Sequence, residues 1–279
     1  MDNPKTLLKK YDLHAVKKFG QNFLTDNNIV VKIAKTSNCS NTDGILEIGP
    51  GLGHLTNELV NHAQKVVTIE IDKKLIPVLH SQLSNYDNLL IVNEDFLKLD
   101  LRKLITSEFK NIHNIHVVAN LPYYITSQIV LKLLENVDLF TSFTLTMQKE
   151  VAQRFCAKPK TKEYSNLSIM CQFYCDVKIA FDISPTSFTP IPNVVSSVVY
   201  FKVNPKMKLE QSVIFWKFVR SCFVNKRKTL ANNVGVYLND KEKAVSFIND
   251  LSWPSTIRAE ELDFPMFYEL FNVINNNSY

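Results

Sequence analysis

The 279 residues are 46% hydrophobic and 21% charged, which excludes a disordered or low-complexity chain and allows one large folded domain with a small second one. Five cysteines without a CxxC pair argue against a zinc ribbon or a disulfide scaffold, and the polar start MDNPKTLLKKYD against a secretory leader or membrane span. A reducing cytoplasm is therefore expected, with an organelle matrix the alternative. The net charge of +5 is uneven: residues 1–43 carry 7 Lys/Arg against 4 Asp/Glu, residues 44–204 carry 15 of each, and residues 205–279 carry 10 against 8.

Taken in chain order, a basic segment over 1–43 precedes a regular alternation. Apolar runs at 44–48, 65–71, 88–93, 115–119 and 142–147 predict strands, with helical periodicity between them at 54–61, 73–84, 101–109 and 126–135. Alternation at this spacing means right-handed crossovers and a mostly parallel sheet. A helix is predicted over 149–157. Two strands then follow without a helix between them, 177–184 and 195–204, joined by a loop holding Pro185, Pro190 and Pro192; these predict an antiparallel hairpin at one sheet edge. From 205 onward the patterns are helical (211–224, 227–238, 241–249, 264–274). The expected division is a basic N-terminal segment (1–43), an α/β domain of Rossmann-like type (44–205) and a small all-helical C-terminal domain (206–279). Cys171 and Cys175, flanked by Met170, Phe173 and Tyr174, read as buried thiols.

Five of the six glycines lie between Gly20 and Gly53. Residues 45–55 read ILEIGPGLGHL, a first strand that ends in a glycine turn and feeds a helix, the place where open α/β sheets bind nucleotides. A dinucleotide fingerprint needs its third glycine one place later, where His54 stands, and a Walker loop needs a Gly-Lys-Ser/Thr that is missing. Glu47 before the turn, Glu70 and Asp95 fall where strands end, and Glu70 follows Gly49 by 21 residues, the spacing of a ribose-binding acid. Three carboxylates at one crevice favour a ligand with positive charge and hydroxyls over one with phosphates. S-adenosylmethionine has that chemistry: a sulfonium, an ammonium and a ribose diol.

The fourth strand ends VVANLPYYIT. An exocyclic adenine amine is a weak nucleophile because its lone pair is delocalised into the ring. Methylating it calls for acceptors that hold the amine hydrogens and favour a pyramidal nitrogen. The Asn120 side-chain oxygen and the Leu121 carbonyl supply them, Pro122 stiffens the turn without adding a donor, and Tyr123 offers a stacking face for an extruded base. Between Gln211 and Asn239 there are no acids but five bases, Lys217, Arg220, Lys226, Arg227 and Lys228, interleaved with Phe215, Trp216, Phe218 and Phe223. The run reads equally as a polyanion-binding surface or a solvated face.

Taken together, these motifs resemble the KsgA/Erm family of ribosomal RNA adenine N6-methyltransferases, in particular the branch that dimethylates two adjacent adenines near the 3′ end of small-subunit RNA. The resemblance runs nearly end to end. It includes KFGQNFL at 18–24, MQKEVAQR at 147–154, FTPIP at 188–192, NKRKTL at 225–230 and RAE at 258–260. It implies a class I methyltransferase fold, S-adenosylmethionine as methyl donor with no metal, and ribosomal RNA in an assembling small subunit as partner. It further implies that Asn22, Leu24, Gly49, Gly51, Glu70, Asp95 and Asn120 contact the donor. Phe188 would sandwich the base with Tyr123, and Arg154, Lys226, Arg227 and Lys228 would bind RNA; on physical grounds Phe19 and Phe23 either anchor the N-terminal segment over the donor as a lid or pack in the core. The chain departs from the family's usual pattern at Lys226, where an arginine is common, and at Ser165-Asn166, where Gly-Arg is common. A binding-only protein on the same fold and the large-subunit branch are the alternatives. The intact acids and NLPY run disfavour the first, and the basic run at 226–228 disfavours the second.

Overall fold

The computed structural model describes residues 2–14, 20–206 and 212–276; Lys18 and Phe19 lie outside that range. In chain order the elements are α1 (Pro4–Lys10), β1 (Phe23–Leu24), α2 (Asn27–Thr36), β2 (Gly44–Ile48), α3 (His54–Leu59), β3 (Lys65–Glu70), α4 (Ile76–Leu83), β4 (Leu89–Asn93), α5 (Leu101–Glu108), β5 (Ile115–Asn120), α6 (Thr126–Glu135), β6 (Ser142–Gln148) and α7 (Lys149–Cys156). They continue with α8 (Asn166–Tyr174), β7 (Cys175–Ile183), β8 (Phe188–Thr189), β9 (Ser196–Val203), α9 (Ser212–Cys222), α10 (Leu230–Leu238), α11 (Lys241–Asp250) and α12 (Phe264–Asn276). The chain forms two compact units, one of residues 1–152 and 177–203, the other of residues 153–176 and 204–279.

The first unit is built on a seven-stranded sheet in the order β4-β3-β2-β5-β6-β9-β7. β2 is parallel to both β3 and β5, β3 to β4 and β5 to β6, whereas β9 runs antiparallel to β6. The sheet is therefore Rossmann-like and mostly parallel, with its antiparallel part at one edge. All five residues of β2 are buried, as a strand covered on both faces requires. The strand order reverses between β2 and β5, so a crevice opens at their carboxyl ends. A separate two-stranded ribbon pairs β1 with β8, Leu24 opposite Phe188.

Local signals set the helix boundaries. Asn3, Asp26, Asp100 and Asp240 cap α1, α2, α5 and α11 with side-chain oxygens that accept from backbone amides, each contributing about 1 kcal/mol. On α2, Val30, Ile33 and Ala34 are buried, the one-face spacing of an amphipathic helix.

The second unit has an aromatic core. The Phe173, Phe215, Trp216 and Phe264 rings have centroids 5.1–5.8 Å apart, and Trp216 Nε1 donates to Tyr174 Oη at 2.9 Å. Three expectations are corrected here. Helix α8 was not legible because six of its nine residues are buried, which leaves no polar face to give a period. Helix α10 starts at Leu230 and not at 227, since Lys228 N–H closes a turn onto the Asn225 carbonyl (3.0 Å). Phe215, Trp216 and Phe218 are at most 6% exposed, so they are core residues and do not share a surface with the bases beside them. Cys171 and Cys175 are buried, on α8 and at the start of β7 respectively.

Candidate active site

The carboxyl ends of β2 to β5 wall a cleft enclosing about 1030 Å³ of empty space, its open mouth included. Its floor is the glycine turn. Gly49 and Gly51 adopt φ of +69° and +59°, the left-handed region in which a side chain adds about 1–2 kcal/mol of strain. A Cβ on Gly51 would sit 3.0 Å from the Phe23 ring, whereas one on Gly49 would meet nothing within 4 Å. The backbone at Gly49 thus stands bare to the cleft, a surface on which a ligand can lie.

Glu70, the last residue of β3, is 4% exposed. Gly51 N–H donates to its Oε2 (3.1 Å) and Asp72 N–H to its Oε1 (2.8 Å). Each oxygen accepts one backbone donor and keeps lone-pair capacity for another, the pattern a ribose diol matches. Burial pushes its carboxyl up to about 7. Glu47 lies deeper, 1% exposed. Thr56 Oγ1 donates to its Oε2 at 2.7 Å, while Oε1 is buried with no hydrogen-bond partner among the described residues. Burial holds this carboxyl up at about 7 as well. Desolvation therefore raises both carboxyls toward neutral pH and favours their protonated forms in the empty cleft. A ligand cation or hydroxyl pair favours their ionised forms. Asp95 lies two residues beyond β4 on the cleft wall, and its Oδ1 accepts from Leu97 N–H at 2.9 Å.

Asn120 closes β5 with its amide in a fixed sense. Nδ2 donates to the Asn22 carbonyl oxygen at 2.9 Å. Because a carbonyl only accepts, the amide nitrogen must face Asn22, which leaves Oδ1 as the acceptor on the other side. The Leu121 amide donates to the Thr146 carbonyl (3.1 Å), which fixes the peptide beyond the strand. Tyr123 Oη lies 2.6 Å from Ser196 Oγ, tethering the ring along the cleft. The segment before β1 crosses this wall: Gln21 Nε2 donates to Asp72 Oδ2 at 3.0 Å and Asn22 Nδ2 to the Gly20 carbonyl at 3.1 Å.

Of the residues singled out from sequence, Asn22, Leu24, Gly49, Gly51, Glu70, Asp95, Asn120, Leu121, Pro122 and Tyr123 all line this cleft. Phe188 does not. It is 2% exposed, packed in an apolar cluster with Leu24 and Ile45, and the sandwich with Tyr123 is not formed in this structure because ribbon pairing turns Phe188 into the core. Arg154 and Lys226, Arg227 and Lys228 are exposed and belong to the second unit. Sequence reasoning missed Ile71, Phe96, Leu97 and Tyr124, which also line the cleft. Ile71 is 44% exposed beside Glu70, and an apolar residue just past a strand-end acid is the signal that would have found it. Lys132 was missed too. From α6 its Nζ donates to the carbonyls of Phe96 (2.8 Å), Leu97 (2.9 Å) and Leu99 (2.6 Å), holding the loop that carries Asp95.

The family model for ribosomal RNA adenine dimethylases matches residues 13–274. The chain belongs to the ribosomal RNA adenine dimethylase family. Among its curated relatives in that family, the "Ribosomal RNA small subunit methyltransferase A" of Lactococcus lactis is 42% identical over 273 residues, spanning 96% of this chain and 92% of the relative. The protein of the same name from Listeria innocua is 41% identical over 275 residues, 96% of this chain and 93% of the relative. Among solved structures, a dimethyladenosine transferase from Plasmodium falciparum superposes with a TM-score of 0.76 at 26% identity, covering 91% of this chain and 98% of that one. The 23S rRNA methyltransferase ErmE shares the fold, with a TM-score of 0.70 at 22% identity over 91% of this chain and 100% of its own. This dimethylase-family chain is thus an S-adenosylmethionine-dependent ribosomal RNA methyltransferase. Among the described residues no helix is long and apolar enough to cross a membrane.

Proposed function

We propose that this methyltransferase places two methyl groups on N6 of each of two adjacent adenines near the 3′ end of small-subunit (16S) ribosomal RNA. It would act as a monomer on an assembling, pre-30S-type particle in the cytoplasm. The observation that carries the reading is the locked amide of Asn120, whose donor side is taken by the Asn22 carbonyl (2.9 Å) and whose acceptor side remains at the cleft. S-adenosylmethionine supplies a methyl group on a sulfonium, an electrophile that needs no further activation. Glu70 would hold the ribose hydroxyls, Asp95 the adenine amine, and the bare turn at Gly49 and Gly51 the donor's amino-acid end. The target amine gives its hydrogens to Asn120 Oδ1 and the Leu121 carbonyl, which favours a pyramidal nitrogen with its lone pair aimed at the methyl carbon. As the new N–C bond forms, the methyl–sulfur bond breaks and its electron pair stays on sulfur. The cationic amine then loses a proton to water, so the site needs no strong base. Alignment supplies most of the acceleration. Tyr123 gives a face for the extruded base, and Arg154 with Lys226, Arg227 and Lys228 meets RNA phosphates from the second unit.

The test is mass mapping of methyl groups on unmethylated small-subunit RNA and particles treated with the protein and labelled S-adenosylmethionine. Four methyl groups on two neighbouring adenines are expected. Labelling confined to large-subunit RNA, or no transfer at all, would overturn the reading.

A further inference from the structure

At the other end of the sheet from the cleft, where β2 and β5 begin, three side chains of different chemistry converge. Cys39 Sγ, an Asp43 carboxylate oxygen and a His116 ring nitrogen all lie within 4.8 Å of one another. Asp43 and His116 are 6% and 4% exposed, while Cys39 is half-buried and gives a path from solvent.

The second layer orients the histidine and the carboxylate, while the Cys39 thiol points at the Ser40 and His62 carbonyls (3.4 and 3.6 Å). His116 Nδ1 lies 2.8 Å from Ser142 Oγ, and that hydroxyl donates onward to the Ser37 carbonyl at 3.5 Å. When the ring proton sits on Nδ1 and is donated to Ser142, Nε2 presents a lone pair. Nε2 is buried without a hydrogen-bond partner among the described residues, yet it lies 3.4 Å from Asp43 Oδ2. A proton on Nε2 joins this pair in the empty site, and a cation that takes the proton's place makes both side chains into ligands. Asp43 is itself fixed: Ser40 N–H and Oγ each donate to Oδ2 at 2.8 Å, and Asn114 Nδ2 donates to Oδ1 at 3.1 Å. Histidine held from behind by a hydroxyl and a carboxylate held by amides are what metal ligands use to keep their orientation.

We propose that Cys39, Asp43 and His116 form a zinc-binding site, separate from the methyl-transfer cleft. A tetrahedral zinc ion with bonds of about 2.0–2.3 Å holds neighbouring donors about 3.3–3.8 Å apart, and the His116–Asp43 pair at 3.4 Å already matches. Mixed thiolate, imidazole and carboxylate donors suit zinc over magnesium or calcium, which prefer oxygen alone. A thiolate and a carboxylate neutralise the divalent ion, so the filled site carries no net charge into the sheet edge. Water completes the tetrahedron. The ion ties the α2–β2 connection to β5 and takes no part in methyl transfer, because the five residues of β2 separate it from the glycine turn by about 16 Å.

The test uses chelator-stripped full-length protein titrated with zinc chloride against a chromophoric chelator, and with cobalt chloride as a spectroscopic probe. One equivalent of cobalt should give a thiolate charge-transfer band and the ligand-field bands of tetrahedral coordination. Cys39→Ser should abolish that band and weaken zinc uptake more than about 100-fold, and Ser142→Ala, which touches only the second layer, should weaken it about 10–100-fold. Retained S-adenosylmethionine binding certifies the fold of both variants, and His116→Gln is a third check on the same readout. No saturable uptake by the parent protein, or a cobalt spectrum unchanged in Cys39→Ser, would overturn the proposal.

Discussion

Replacing Asn120 separates the two jobs its amide performs. In the Asn120→Ala protein the acceptor at the cleft is removed, and so is the 2.9 Å bond to the Asn22 carbonyl. Removing one oriented group that acts on developing charge lowers kcat about 10²–10³-fold. Loss of the bond to Asn22 costs about 1 kcal/mol of stability. Asn120→Asp keeps an oxygen at the position but replaces the donor, so an acceptor faces the Asn22 carbonyl where a hydrogen bond stood. The segment Gln21–Asn22 is pushed off the wall, and the Asp variant should therefore lose S-adenosylmethionine affinity as well as rate. The Ala variant should hold affinity to within about tenfold, equivalent to 1.4 kcal/mol. Single-turnover transfer of labelled methyl to small-subunit RNA measures the rate, and calorimetry measures the donor's affinity. If Asn120→Ala turned over within about threefold of the parent at unchanged donor affinity, the amide would not be the acceptor.

Other consequences are as direct. Burial moves the Glu47 carboxyl from 4.5 to about 7, so the folded chain holds a proton that the unfolded chain releases between those values. The associated stability is fully present below about pH 4.5 and lost as pH rises through 7, amounting to about 3 kcal/mol by pH 8. Glu47→Gln, neutral throughout, should raise the urea midpoint at pH 8 and leave it little changed at pH 4.5; equal midpoints at pH 8 would refute the shift. Lys226→Glu with Arg227→Glu and Lys228→Glu should weaken RNA binding and flatten its logarithmic salt slope by about 0.7 for each phosphate no longer neutralised. An unaltered slope in a filter-binding titration would mean that these bases face only solvent. Lys132→Met frees three carbonyls of the loop after β4 and should raise KM for S-adenosylmethionine several-fold with kcat nearly constant; a fall in kcat alone would point elsewhere.

The cleft's lining was legible in the sequence because its parts are local. A glycine turn, an acid at a strand end and an Asn-Leu-Pro-Tyr run each depend on neighbours along the chain, and the alternation of strands and helices orders them along one sheet edge. Where periodicity vanished, legibility vanished with it: α8 is buried over most of its length and shows no polar stripe. Interleaving also misled, since Phe215 and Phe218 alternate with exposed bases in sequence yet pack inward at 0% exposure.

The sequence by itself determined the sheet, its crossovers and most of the residues that line the cleft, since patterns of period two and 3.6 and the glycine positions suffice for that. Only the tertiary structure decided the states of those residues. Desolvation, a property of the assembled core, holds Glu47 and Glu70 at about 7, and a strap 98 positions away in sequence sets the sense of the Asn120 amide. The meeting of Cys39, Asp43 and His116 belongs to the same class, because strand register joins a loop before β2 to the start of β5, and no spacing along the chain encodes it.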